Sequence, residues 1–313
     1  MSAGHSHGSQ DMSDSRLVWA VVVNVVLTVA QIVGGIVSGS LALIADALHN
    51  LNDAASLCLA LFARRIGRRP VDKLMTFGYG RAELIAALVN LTTLIVIGIY
   101  LLIESVNRFL TPQPIEGWTV IVVASVALVI DIITAVLVYA GTKDSLNIKA
   151  AFLHNVSDAL ASVGVIIAGV LIILYDAYVA DLIVTIVIAA YVLYQGASLL
   201  PKTVRLLMGA VPDDVEFDEI LNALRNTEGV LDVHHVHVWS LDEHVRALEA
   251  HLVPHDTSLI LFEDLKTRVR AMLAARFAIE HATLEACLSN QAGHRCASVR
   301  EEAIVLVGRS GCS

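Results

Sequence analysis

The sequence predicts an α-helical membrane protein with six transmembrane helices, followed by a small cytoplasmic α/β domain. Three observations predict this. First, 56% of the 313 residues are hydrophobic and only 16% are charged, with mean hydropathy +0.71, whereas soluble domains sit near 45–50% and about 25%. Second, the apolar residues gather into six runs, each about 20 residues long, the length that crosses a bilayer as a helix. Third, the charge is split. Residues 1–210 carry a net −1 and residues 211–313 a net −8 of the overall −9. Such a chain is not read as disordered, as a nucleic-acid binder or as an ordinary soluble enzyme.

The six runs are Leu17–Val37, Leu41–Ala63, Leu84–Ile103, Trp118–Ala140, Ala150–Tyr175 and Val179–Leu200. The second holds Asp46, His49 and Asp53 and is the least apolar; an interfacial hairpin is its alternative. The first is too long for the apolar region of a cleavable signal peptide. Lys and Arg set the orientation. Eleven basic residues fall before the first run, after the second, fourth and sixth, and only Arg108 falls on the other side. Both termini are therefore expected in the cytoplasm. Trp19 and Trp118 stand at run ends, where aromatic anchors belong.

Beyond residue 210 the pattern changes. Asp213–Asn226 has Phe217, Ile220, Leu221 and Leu224 at helical spacing. Val233–Leu241 and Val245–Val253 alternate as strands around a turn at Asp242-Glu243, Thr257–Phe277 reads as a helix, and His281–Cys287 as a third strand. The order α-β-β-α-β predicts a two-layer domain. Gln291–Ser313 reads as a tail with one strand-like run, Ala303–Val307. The expected divisions are a cytoplasmic tail 1–16, a membrane domain 17–208, a cytoplasmic domain 209–290 and a tail 291–313.

The sharpest signal lies inside the membrane. Leu48-His49-Asn50-Leu51-Asn52-Asp53-Ala54 and Leu153-His154-Asn155-Val156-Ser157-Asp158-Ala159 both read L-H-N-x-x-D-A. They hold the two histidines of the six runs. The i,i+4 spacing puts each His and Asp on one helix face. Facing each other, the two helices would offer two imidazoles and two carboxylates, a tetrahedral set that suits zinc. Magnesium and calcium prefer all-oxygen cages. Two carboxylates also balance a divalent cation. The four ionisable residues would cost about 2.5–3.5 kcal/mol each at mid-membrane, which marks a pathway for metal or protons rather than packing. Asp46, nearly on the face of His49, is a candidate partner for an imidazole N–H or a packing residue. Asp131, Asn24 and Gln31 read as helix–helix hydrogen-bonding groups, Asp131 also as a candidate on a proton path.

These motifs are similar to those of the cation diffusion facilitator family. The resemblance runs over about residues 12–288. It includes Ser40-Leu41-Ala42-Leu43-Ile44-Ala45-Asp46-Ala47 ahead of His49, Phe77-Gly78-Tyr79-Gly80-Arg81-Ala82-Glu83, His234-His235-Val236-His237-Val238-Trp239-Ser240 and His281-Ala282-Thr283-Leu284-Glu285. The likeness is to the bacterial zinc exporters of that family. It implies a homodimeric metal/proton antiporter of the bacterial inner membrane, not an enzyme. It would move Zn²⁺, with Cd²⁺ and other divalent transition metals as further cargo, in zinc homeostasis and metal resistance. It implies protons and membrane lipids as partners, no nucleic acid, and a ferredoxin-like, metallochaperone-like cytoplasmic fold.

Two departures from the family stand out. In the loop after the second run, Met75 and Tyr79 stand where some members place histidines beside an Asp such as Asp72, so a loop metal site is not expected. Gly141–Lys149 lacks the His-rich insertion of many eukaryotic members, and His5 and His7 are a thin substitute. In the cytoplasmic domain, a hairpin turning at Asp242-Glu243 sets His234 opposite His251, while Glu285 and Cys287 share a strand face. The resemblance points to His234, His251, Glu285 and Cys287 as ligands for a second zinc. His235 and His237 are expected on the other face of their strand, and His294 with Cys296 in the tail are further candidates. Cys58 reads as a small packing residue. A membrane metal sensor is the competing function, but a sensor needs no ligands at membrane depth, and no signalling or ATPase motif accompanies them.

Overall fold

The structure, a computed structural model, describes residues 25–139, 146–242, 245–256 and 258–287. The expectations for Leu17–Asn24, for the basic loop near Lys143, and for the tail with His294, Cys296 and Ala303–Val307 lie outside the described residues. The helices are α1 (Val25–Ser38), α2 (Leu41–Gly67), α3 (Arg81–Leu110), α4 (Gly117–Tyr139), α5 (Leu146–Tyr175) and α6 (Val179–Leu207). Among the described residues, four helices, α3 to α6, are long and apolar enough to cross a membrane. In α2 the acids at 46 and 53 and the arginines at 64 and 65 dilute the apolar run. The helices outlast the apolar runs: α2 continues four residues past Ala63, and α6 passes through Pro201 to Leu207. Once a helix is nucleated, polar residues prolong it beyond the stretch that hydropathy marks.

Among the described residues, those from Val25 to Phe62 together with Ala86–Leu200 belong to one unit, and Ala63–Ile85 with those from Pro201 to Cys287 belong to a second. The first unit buries Leu41, Leu43, Leu101, Val120 and Val165 at its centre. It leaves Ile36, Phe109, Leu137 and Leu160 exposed, as a bundle facing hydrocarbon must. Small residues let helices approach. A Cβ at Gly169 of α5 would lie 2.8 Å from Cγ1 of Ile121 and 3.3 Å from the Gly117 carbonyl of α4. Overpacking such a contact costs about 1–3 kcal/mol, so Gly169→Val is expected to lower the thermal midpoint in detergent. An unchanged midpoint would mean that α4 and α5 are free to separate.

In the second unit, α7 (Phe217–Arg225), β1 (Val230–Ser240), β2 (Arg246–Pro254), α8 (Leu259–Phe277) and β3 (Ile279–Ala286) follow in the expected α-β-β-α-β order. The sheet order is β1-β2-β3, antiparallel between β1 and β2 and parallel between β2 and β3. Leu248, Ala250 and Leu252 of β2 pack with Ile220, Leu224, Leu265 and Leu273 of the two helices. The first helix begins at Phe217 rather than Asp213, because Pro212–Val215 closes as a turn and Asp213 and Asp214 pair with Arg205 and Arg246 at 3.2 and 2.5 Å. The α2–α3 loop belongs to this unit, with the Phe77 ring edge-on to His281 at 5.9 Å.

Candidate metal centre

One helical turn separates His49 from Asp53 on α2 and His154 from Asp158 on α5, and the structure brings all four side chains to one point. Nε2 of His49 lies 3.5 Å from Asp53 Oδ2 and 3.5 Å from Asp158 Oδ1. Nε2 of His154 lies 3.2 Å from Asp53 Oδ2 and 3.5 Å from Asp158 Oδ2. Each imidazole thus touches the carboxylate of its own helix and that of the other. The ring centroids are 6.0 Å apart, and the ligand atoms of His49, Asp53 and His154 fall within 4.8 Å of one another.

The atoms converge without satisfying one another. Both nitrogens of His49, Oδ2 of Asp53 and Oδ1 of Asp158 are buried and make no hydrogen bond among the described residues. Buried polar atoms are rarely left so. Nε2 of His49 lies 3.5 Å from each of these two carboxylate oxygens, a set of acceptors that a cation would complete. Exposure is uneven: the side chains of His49 and Asp158 are 5% and 9% exposed, those of Asp53 and His154 33% and 40%. A residue from α6 that the sequence did not mark, Tyr191, sets its ring edge-on to His49 at 6.3 Å.

The surrounding polar groups link helices, as expected of Gln31 and Asp131, and of the two roles open to Asp46 the structure takes packing over the imidazole. Asp46 is held by α1 rather than by His49: Gln31 Nε2 donates to its Oδ2 at 2.7 Å, and Asn50 Nδ2 donates to Gln31 Oε1 at 3.1 Å. Oδ1 of Asp46 stays buried with no hydrogen bond among the described residues. A carboxylate three residues before His49 faces the next helix because α1 packs there with a polar side chain. Asp131 accepts from Ser162 Oγ at 3.3 Å, a link between α4 and α5.

In the α2–α3 loop, Asp72 accepts from Tyr79 Oη at 2.5 Å and from the Leu74 and Met75 N–H groups at 2.7 and 2.8 Å. The Tyr79 hydroxyl, then those N–H groups, hold the Asp72 carboxyl below its ordinary range, and the same bond pushes the Tyr79 phenol up. The carboxylate is thus occupied by its own loop.

In the second unit the register sets His234 against His251 and His251 against Glu285. The first pair has ring centroids 5.3 Å apart, and Nε2 of His251 lies 3.5 Å from Glu285 Oε2. Cys287 follows β3, its N–H donating to the Leu252 carbonyl at 2.8 Å. His235 and His237 stay together as expected, ring centroids 4.7 Å apart, but His235 does not lie on the face away from His251. A bulge between His234 and His237 adds a residue to β1, and His235 takes φ +51°. Its ring stacks on His251 at 4.4 Å, and His235, Glu249 and His251 bring ligand atoms within 4.8 Å of one another. Strict alternation places side chains only where no residue is inserted.

Burial pushes the His251 imidazole below its ordinary value, against the opposing pull of Glu285. A histidine kept neutral by the fold stabilises it above the unfolded pKa of about 6.5 and loses that contribution as pH falls through the lower folded value. The fragment 211–290 is therefore expected to melt lower at pH 5.5 than at pH 7.5. Zinc should raise the midpoint more at pH 7.5, because binding competes with protons. His251→Ala should reduce both effects. A zinc response unchanged in that variant would remove His251 from the site.

A helical membrane unit that carries a metal-shaped ligand set between two of its helices, joined to a small sheet domain, defines a membrane transporter of metal cations rather than an enzyme. The comparisons agree. Cation efflux transmembrane domains match residues 17–208, and the cytoplasmic domain of cation efflux proteins matches residues 212–287. The chain belongs to the cation efflux family, the cation diffusion facilitators. It is similar to the metal cation efflux system protein CzcD of Cupriavidus metallidurans, 37% identical over 286 residues and covering 91% of this chain and 90% of the relative. It is similar to the zinc transporter ZitB of Escherichia coli, 37% identical over 293 residues, 91% and 92% of the two chains. The cadmium, cobalt and zinc/H(+)-K(+) antiporter of Bacillus subtilis is 32% identical over 255 residues, 81% and 82% of the two chains.

Proposed function

We propose that the protein exports Zn²⁺ from the cytoplasm in exchange for protons, binding the ion between His49, Asp53, His154 and Asp158. The observation that carries this reading is the convergence of buried, unbonded ligand atoms from two helices. Two imidazoles select a borderline transition metal over magnesium or calcium. Relatives named as zinc transporter and as zinc/H⁺ antiporter support the cargo and the exchange. The chain crosses the inner membrane six times with both termini inside and works as a homodimer. Its cytoplasmic domain, of ferredoxin-like pattern, holds further zinc at His251 with His234, His235 and the carboxylates of Glu249 and Glu285. Cys287, just past the strand that carries Glu285, is an additional ligand.

Coupling follows from charge. With both carboxylates ionised, the site is neutral when it holds one divalent ion on neutral imidazoles. It is neutral again when empty with both imidazoles protonated. Either form can cross a rocking step at membrane depth, whereas the empty, unprotonated site carries −2 and is held back. Proteoliposomes loaded with a zinc-sensitive dye test this. Flux should rise when the pH gradient opposes the zinc movement, and should favour zinc over manganese, magnesium and calcium. Zinc flux indifferent to the gradient would reject proton exchange.

A further inference from the structure

The first turn of a helix leaves N–H groups without partners, and in α2 these are closed from another helix. Asp181, in the first turn of α6, accepts from the Leu41 and Ala42 N–H groups through Oδ2 at 2.8 and 3.2 Å. Its Oδ1 accepts from the Ser40 hydroxyl at 2.5 Å. Ser40 Oγ in turn accepts from the Leu43 N–H at 3.1 Å. The Ile44 N–H then begins the helical ladder on the Ser40 carbonyl. Every free N–H of the first turn is thus bonded, and both Ser40 and Asp181 are 0% exposed.

The turn before α2 is gripped as well. Gly39 takes φ +73°, its carbonyl accepts from Arg108 Nη1 of α3, and the Ser38 carbonyl accepts from the Glu116 N–H at 2.9 Å. A buried carboxylate facing a helix N-terminus interacts with both its N–H groups and its dipole. His49 lies eight residues, or about 12 Å, further along the same helix. A rigid helix carries any shift or roll at its capped end to the ligands.

We propose that Asp181 is a positioning residue for transport: by capping α2 from α6, it fixes the height and rotation at which His49 and Asp53 meet His154 and Asp158. This rests on the metal-site reading above. The carboxylate touches no ligand and acts through the helix it holds.

The test uses the full-length protein in detergent with His251→Ala as background, and Co²⁺ as probe. Wild-type membrane ligands should give the intense visible bands of a four-coordinate N₂O₂ cobalt site. Their absence there would defeat the metal-site reading and not the cap. Given those bands, Asp181→Ala should weaken cobalt affinity at least tenfold and lower the band intensity. Asp181→Asn, which keeps one acceptor for the helix N–H groups, should stay within about threefold. Ser40→Ala, which leaves Asp181 on two N–H groups, should fall between them and decides the matter if Asp181→Ala fails to fold. Wild-type affinity and spectrum in Asp181→Ala, or in Ser40→Ala where that variant decides, would overturn the proposal, even with flux lost.

Discussion

Asp158→Ala is expected to abolish proton-coupled zinc flux. The Asp158 carboxylate lies 3.5 Å from both imidazoles and its side chain is 9% exposed. No other group of the site contacts both histidines from a position so buried. Removing it leaves three ligands and a loaded site of net +1. An unbalanced charge at mid-membrane costs about 2.5–3.5 kcal/mol, roughly 100-fold in occupancy at about 1.4 kcal/mol per decade. The empty site changes too, since two protonated imidazoles would then face one carboxylate. The measurement is zinc flux in vesicles with an imposed pH gradient, for wild type and variant at equal insertion. Full coupled flux in Asp158→Ala would remove this residue from the mechanism.

His49→Asp is expected to change which ion is carried. The variant keeps four ligands but offers three carboxylates and one imidazole, so its donors become hard and its loaded charge becomes −1 with a divalent ion. Manganese, as a harder ion, and cadmium, as a larger one, should then compete with zinc at least tenfold better than in wild type, because the second imidazole nitrogen that favours a borderline metal is gone. The His49 side chain is 5% exposed, so water has little room to substitute for the lost nitrogen. The test is a competition series, zinc flux against rising manganese or cadmium. An unaltered series would mean that His49 does not contact the ion.

The two L-H-N-x-x-D-A segments were legible because helical spacing depends only on the chain's own geometry, and the structure brings His49, Asp53, His154 and Asp158 together as that spacing implies. The order of elements in the sheet-bearing unit was legible for the same reason. Features set by a neighbouring element were not. Tyr191 and Asp181 are unremarkable in α6 until packing sets one ring against His49 and one carboxylate under Leu41. Asp46 pointed to His49 by spacing, yet Gln31 of α1 takes its oxygen. His235 was assigned to the far face because an inserted residue leaves no trace in an alternating pattern; only His235's left-handed φ and its stacking on His251 reveal it.

The same heptapeptide pattern is presented once by α2 and once by α5. The ligand set is accordingly close to a two-fold arrangement: exchanging His49 with His154 and Asp53 with Asp158 returns nearly the same constellation of contacts. Such a site has no front or back of its own. Its chemistry would accept an ion arriving from either leaflet equally well, and vectorial movement has to be imposed from outside the four ligands. The structure already carries that asymmetry in the unequal exposure of its two imidazoles, 5% for His49 and 40% for His154. Polarity of transport is therefore a property of the scaffold around the duplicated motif. A reversal of direction would be sought in the helices that cover His49 and leave His154 open, with every ligand unchanged.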